Sequence, residues 1–570
     1  MKKKIFFTFF FFFQKQGNLK KKFTRFWRVI FESNYTFEVV SSLCGEGSGA
    51  ALKSKSRTAV SRAADTSYFI LAPLTEASLN SNQLVLDQCD QGGQCDSSSV
   101  VGRVMTRVRR CGATLVTGTW LAGGNARVIF FDLKASAWAY GPCQRELYQG
   151  SSVELPEDEE SGQAAVFGYL VAHFLGEYKK EVAGRRRCKV VAHFHDWSAS
   201  VALILLRQRN AGVATVLTSH GTRLGHHLCA NYADFYNEIQ SLDFDAEARN
   251  LGLQRGYLME KVMVDAAHVL TSVSHTATLE AVHILKRRPD YVTFNGLDLS
   301  SCPAADQLEQ RHLVAKARIE RFVRTQLKEG VDFDLSLTKF FVMVGRHQFV
   351  HEGADLFVES LARLNHKLRV TQSRETVLVF FVFPNDQEDQ KDQKEGPVVS
   401  HLQRCQLLNQ SHDRVRTLLV PAWKLVTEEQ GWSDLNQFLI GCHLGVQPSF
   451  YEPWGHAAAQ CVAQGLPTVT TNCSGFGRFF EDLLEDGAQL HQHGVFVVDR
   501  RYLSVEESVC QLSDWMLHLT RLEPQRCRTL RRKVRALAAS LDWNVLYDYY
   551  LQARQTAIER CDLDGFQQRL

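Results

Sequence analysis

Three regions of this chain place reactive side chains where an apolar run ends. In Lys189–Trp197, KVVAHFHDW, the run delivers His193 and His195 at alternate positions, with Asp196 beside them. An imidazole at such a point can hydrogen-bond a sugar hydroxyl or a carbonyl, or be a satisfied core histidine. In Phe340–Gly353, FFVMVGRHQFVHEG, the run ends in Arg346, and a helix-like segment follows from Ala354. A guanidinium beside a helix N-terminus suits a phosphate, whereas a strand-end arginine alone is equally a surface ion-pair partner. Tyr451–Gly465, YEPWGHAAAQCVAQG, is a tight turn carrying Glu452, then a short apolar helix carrying Gln460 and stopping at a glycine. Just beyond, TTNCSGFGRFFEDL (Thr470–Leu483) sets Gly475 and Gly477 on either side of Phe476 ahead of a helix. Glycines there let the backbone approach an anion or a nucleoside, or make an ordinary turn.

These residues need elements to position them, and the apolar periodicity supplies candidates. YFILAP (Tyr68–Pro73), TLVTGTW (Thr114–Trp120), ARVIFFDL (Ala126–Leu133), KVVAHFH (Lys189–His195) and VATVLTS (Val213–Ser219) are short apolar runs rich in β-branched residues. Helix-like segments such as Ala164–Lys180 and Trp197–Arg209 lie between them. Such alternation predicts a doubly wound parallel sheet. It restarts after Pro289 with FFVMVGR, TVLVFFVFP (Thr376–Pro384), RTLLVP (Arg416–Pro421), CHLGVQPS (Cys442–Ser449) and PTVTTN (Pro467–Asn472). Two Rossmann-like α/β domains are therefore expected, over residues 31–290 and 291–540, with the ligand in the cleft between them at the carboxyl ends of the strands.

A chain of 570 residues exceeds what one core serves, in agreement with two domains. A net charge of +4 gives no nucleic-acid surface; the run Arg526–Arg535 is the dense basic patch of the C-terminal half. Fifteen cysteines without a C-x-x-C pair point to free thiols in a reducing cytoplasm, although Cys89 and Cys95 are near enough in sequence to bridge. Lys2–Lys4 followed by IFFTFFFFF imitates the start of a signal peptide or anchor, but the run is far short of the roughly 18 residues that span a bilayer. Residues 1–30 are expected to be an unstructured leader. Asp386–Gly396 and Glu157–Glu160 read as solvated loops.

Taken in order, AHFHDW, TSHGTRLGHHLCANYADFYNEI (Thr218–Ile239), HILKRRPDYVTFNGL (His283–Leu297), GADLFVESLARLN (Gly353–Asn365), YEPWG and TTNCSGFG resemble the animal and fungal type of glycogen synthase, from about Tyr68 to Arg554. The resemblance implies a GT-B fold and retaining transfer of glucose from UDP-glucose to the non-reducing end of an α-1,4-glucan, without a metal or other cofactor. It assigns His195 to the glucose, Arg346 to the diphosphate and Glu452 to the transferred sugar. It places Gly47, Asn295, Tyr451, Trp454, Gly455, Gln460, Ser474, Gly475, Phe476 and Gly477 around the donor, with the S-G-F-G turn presenting backbone donors. Arg528, Arg531, Arg532 and Arg535 resemble the family's glucose-6-phosphate helix, and a solvated basic helix is the other reading. A glycogenin-like primer protein is a further implied partner. LDWNVLYDYYLQAR (Leu541–Arg554) resembles the closing helix, so residues 541–570 are expected to cross back to the N-terminal domain.

Three residues depart from the family pattern. Gln460 stands where a second glutamate binds the ribose diol, Glu352 where a lysine holds phosphate, and Glu46 at one glycine of the donor loop before Leu52-Lys-Ser-Lys55. Exchanging a charged for a neutral hydrogen bond costs about 1–2 kcal/mol. A reversed charge about 4 Å from a diphosphate replaces attraction by repulsion, each roughly 4 kcal/mol at an effective dielectric of about 20. Glu352 is thus the graver change, with His351 a neighbouring alternative cation. The family's helical insertion for tetramer contacts is reduced here to the polar loop, which leaves the oligomeric state open. Two rival readings follow: an impaired homologue that binds glucan or a regulatory partner, and an NAD-type oxidoreductase built on Gly45-Glu-Gly-Ser-Gly-Ala50 with Asp65.

Overall fold

The structure is a computed structural model that describes residues 27–34, 47–62, 66–79, 81, 83–87, 98–184, 188–231, 234–327, 332–346, 348–383, 396–425, 432, 434–484 and 487–567. The Phe-rich segment, Cys89, Cys95, Glu46, Asp65 and nearly all of the polar loop before Gly396 lie outside these residues.

The N-terminal sheet comprises β1 (Trp27–Asn34), β2 (Thr66–Pro73), β3 (Leu84–Leu86), β4 (Leu115–Trp120), β5 (Ala126–Phe131), β6 (Cys188–His195), β7 (Ala214–Ser219), β8 (Val269–Ser272) and β9 (Tyr291–Val292). Their order is β3-β4-β5-β2-β1-β6-β7-β8-β9. The sheet is parallel except that β4 runs against both β3 and β5. The second sheet is wholly parallel, with β10 (Thr338–Val344), β11 (Thr376–Phe383), β12 (Val415–Pro421), β13 (Leu444–Val446), β14 (Thr468–Thr471) and β15 (Val495–Val498) in the order β12-β11-β10-β13-β14-β15.

Both sheets are buried on both faces, which explains their continuous apolar runs. Phe31 and Phe131 pack under the helix Glu159–Val182, while Ile30, Ile70 and Val216 face Trp543, Tyr547 and Tyr550 of the last helix, Trp543–Gln567. That helix lies on the N-terminal sheet, where Tyr550 donates to Thr293 O at 3.0 Å and Arg560 to Asp290 at 2.7 Å. In the second domain Phe341 and Phe381 face one helical layer and Phe340 and Phe380 the other.

Two expectations are corrected. Residues 27–30 belong to no leader: they open β1, in the middle of the sheet between β2 and β6, with Val29 and Ile30 buried. Of the exposed stretch Glu157–Glu160, only Glu157 and Asp158 precede the helix Glu159–Val182, so the expected loop is half helix. Asp158 caps it through Ser161 N–H, and Glu159 and Glu160 lie in its first turn, where carboxylates favour the positive end of the helix.

Each sheet reverses its winding at one place, at β1 in the first and between β10 and β13 in the second. Ligands of open α/β sheets bind outside the strand ends at such points. Glu32, His195 and His220 stand at the ends of β1, β6 and β7, and Arg346 and Glu452 follow β10 and β13.

Candidate active site

The N-terminal side of the cleft is built around Glu32, a fully buried carboxylate that sequence reasoning missed. Its Oε1 meets the Lys55 ammonium and lies 2.7 Å from His195 Nε2, while Oε2 accepts from Tyr68 and lies 3.5 Å from Arg554. Burial alone would raise the pKa of this carboxyl; Lys55, the His195 hydrogen bond and Arg554 instead hold it well below the usual range. His195 is pushed down to about 3, by burial first and then by Lys55, so its ring is neutral near pH 7. Its Nδ1 sits 2.9 Å from Nε2 of His220. His193 stacks on His195 and is tied to Thr218 at 2.6 Å. Ligand atoms of Glu32, His193 and His195 lie within 4.8 Å of one another. That spacing could suit a cation, but Lys55 and Arg554 already supply two positive charges to Glu32. The quoted L-K-S-K and T-S-H-G motifs contained Lys55 and His220, whereas nothing local marked Glu32.

On the other side, Arg346 is exposed at the end of β10. Its N–H donates to Glu352 Oε1 at 3.2 Å, and a Cβ on Gly345 would press on the Glu352 carboxyl. Glu352 is therefore folded back against its own strand end. His351 is bound to the facing domain through His226 O, 3.0 Å away, and so is not placed as a replacement cation. Glu452 accepts the N–H groups of Trp454 and Gly455. Burial raises its pKa, while Arg346 and those two N–H groups act to lower it. Gly455 sits at φ 116°, which favours glycine, and opens the helix His456–Ala463. Gln460, one turn into that helix, is half-buried.

The S-G-F-G turn departs from its expected role. The Gly475 N–H donates to Glu452 O at 2.9 Å, that of Phe476 to Trp454 O at 2.5 Å, and that of Gly477 to Ser474 Oγ at 3.0 Å. The first two clamp the Glu452 turn and the third caps the helix Gly475–Leu483, so none of them is directed at a ligand. A Cβ on Gly475 would collide with Pro453 O and with Ser274 of the opposite domain. Trp454 is buried among Phe294, Phe476 and Phe479, an aromatic cluster under the site. Tyr451 reaches across the cleft, its hydroxyl 3.3 Å from Glu280. Asn295 is buried against Tyr550 at 3.3 Å, and Gly47 begins the helix that follows β1.

The four regulatory arginines do not converge. Arg531 is buried and donates to Ile440 O and Cys442 O, Arg535 donates to Pro303 O, Arg528 pairs with Glu309, and Arg532 is exposed. Arg528 and Arg531 line a 260 Å³ cavity together with Lys316, Lys339, His312 and His443.

The fold and site match known proteins along nearly the whole chain. A family model described as Glycogen synthase matches residues 35–391 and 388–570. The chain is 33% identical to the liver glycogen [starch] synthase of Homo sapiens, with 88% of this chain and 80% of that protein covered. It is 31% identical to glycogen [starch] synthase isoform 1 of Saccharomyces cerevisiae, covering 94% of this chain and 87% of that protein. Among solved structures, the catalytic domain of starch synthase IV from Arabidopsis thaliana superposes with a TM-score of 0.55 at 12% identity, covering 94% of this chain and all of that one. A sucrose-phosphate synthase from Thermosynechococcus elongatus does so at 0.53 and 14% identity, covering 93% and 98%. These neighbours have the GT-B fold, and at such identities they speak for the fold alone. No helix among the described residues is long and apolar enough to cross a membrane. With the quoted motifs in order at the strand ends and 31–33% identity to glycogen synthases over most of its length, this chain belongs to the glycogen synthase family.

Proposed function

We propose that this chain elongates an α-1,4-glucan by transferring glucose from UDP-glucose to its non-reducing end with retention of configuration. The observation that carries this reading is the convergence of His220, at the tip of the Glu32–His195 network, with Arg346 and Glu452 from the other domain. His220 and Arg346 both act electrostatically on the ring of His456. In this reading Arg346 meets the charge that develops on the departing diphosphate, which is commonly the largest catalytic term. His195, whose two ring nitrogens are already held by Glu32 and His220, orients His220 toward the sugar rather than binding it itself, and Glu452 lies beside the transferred sugar. No metal or other cofactor is assigned a role.

The finer partners belong to the same proposal. Glucose-6-phosphate is placed in the basic cavity of Arg528, Arg531, Lys316 and Lys339 rather than along the exposed face of the arginine helix. A glycogenin-like primer and a cytoplasmic setting accompany the function. Incorporation of labelled glucose from UDP-glucose into glycogen tests the reading, with Glu352→Lys beside wild type. Wild type is expected to turn over, and the variant, which replaces a repelling by an attracting charge, to gain about tenfold or more in kcat/KM, since the reversal is worth about 1 kcal/mol per charge in bulk water and more within the cleft. Turnover by the variant with none by wild type would instead establish an impaired homologue.

A further inference from the structure

His456 is 8% exposed, yet neither Nδ1 nor Nε2 has a hydrogen-bond partner. Among the described residues it is the one histidine with both ring nitrogens buried and unsatisfied. The other buried imidazoles of the site are engaged: His193 with Thr218, and His195 with Glu32 and His220. A buried polar group left unpaired costs about 1–3 kcal/mol, so a position that retains two such atoms calls for a ligand.

The surroundings specify the ligand's charge. His456 is the first residue of the helix His456–Ala463, whose N-terminus no side chain caps. That end carries partial positive charge. Arg346, at the end of β10, and His220, at the end of β7 in the other domain, are the groups whose electrostatic influence reaches the ring. Glu452, on the turn that precedes the helix, is the nearby carboxylate, and it is already bound to two backbone N–H groups. Phe476 closes the other side of the turn, against Gly455. A guanidinium, an uncapped helix end and an unpaired imidazole thus surround a single place.

We propose that the His456 ring is a donor-binding group that hydrogen-bonds the diphosphate of the sugar nucleotide and takes up a proton from solvent as that anion arrives. The inference rests on the donor reading given above. Without ligand, burial first and then His220 and the Arg346 guanidinium hold the ring down to about 3, hence neutral. A diphosphate beside it reverses the local potential, so protonation becomes favourable only in the complex. The imidazolium then faces the charge left when the glycosidic bond to phosphate breaks.

Calorimetry of UDP binding to the full chain, in buffers of different ionisation enthalpy at pH 6 to 8.5, tests this. Wild type is expected to take up a fraction of a proton and to bind UDP more weakly as pH rises. His456→Phe should bind UDP about tenfold more weakly, lose the proton uptake, bind uridine unchanged and melt at a higher temperature because the orphan nitrogens are gone. His456→Gln, which keeps a donor, should recover part of the affinity but none of the proton uptake. UDP binding and proton uptake in His456→Phe equal to wild type would overturn the inference and leave the donor reading standing. Failure of wild type to bind UDP at all would overturn both.

Discussion

At the scale of single residues, the departures from the family pattern differ in kind. Gln460 is half-buried on the helix that carries the donor side of the site, one turn beyond His456 and so on the same face. A neutral amide there can still bridge two hydroxyls, and the loss is that of charge assistance only. Gln460→Glu should therefore tighten UDP binding by about 1–2 kcal/mol, close to tenfold, with unchanged uridine-independent phosphate binding. Competition of UDP against inorganic pyrophosphate measures both. Equal affinities of variant and wild type for UDP would remove Gln460 from the ribose subsite. Glu352 is different because its carboxyl is folded against Arg346 N and the strand end, so its charge is fixed close to the proposed diphosphate site.

At the scale of elements, the turn Ser474–Gly477 serves the site indirectly. Ser474 Oγ accepts the Gly477 N–H and is shared with Thr470 at 2.8 Å, which locks the N-terminus of the helix Gly475–Leu483. Through Gly475 and Phe476 the same turn holds the carbonyls of Glu452 and Trp454. Ser474→Ala is expected to cost about 1 kcal/mol of stability, as a lost cap does. Its kcat should fall further than its unfolding midpoint suggests, because the Glu452 turn loosens. Urea unfolding beside initial rates shows whether the two separate; a loss of stability with full activity would contradict the clamp. Ten of the described strands were legible from their apolar runs; the short β3, β8, β9 and β15 were not, and neither was β1. Its sequence, WRVIFESN, puts Arg28 and Glu32 into a strand at the centre of the sheet, where an unbroken apolar run is the usual signature. Glu32 is tolerated there only because Lys55, His195 and Arg554 arrive from other elements.

At the scale of the whole molecule, the two domains meet through polar contacts around the cleft. Tyr451 reaches Glu280, His351 reaches His226 O, and Arg501 donates to Asn237 at 3.1 Å and to Tyr236 O at 3.2 Å. Burial pushes Glu280 up to about 7 and Glu260 up to about 8, against the Thr222 and Arg223 hydrogen bonds that act to lower them. A carboxyl raised in this way keeps its proton in the fold and loses it near 4.5 when unfolded, so the native state binds more protons between those values. Stability from Glu280 is therefore complete below about pH 4.5 and is lost as pH rises through about 7. Glu280→Gln should melt with a flatter pH dependence across that window, as measured by thermal denaturation; a slope identical to wild type would place the Glu280 proton elsewhere. The sequence by itself determined the alternation of strands and helices, the order of the motifs and hence the family, because periodicity and turn chemistry are properties of neighbouring residues. Only the tertiary structure decided that Glu32 anchors His195, that the S-G-F-G donors are already taken, that Arg531 is a buried brace and that His456 stands unpaired. Burial and pairing of a polar group depend on partners distant in sequence, and a local reading of composition and spacing carries no record of them.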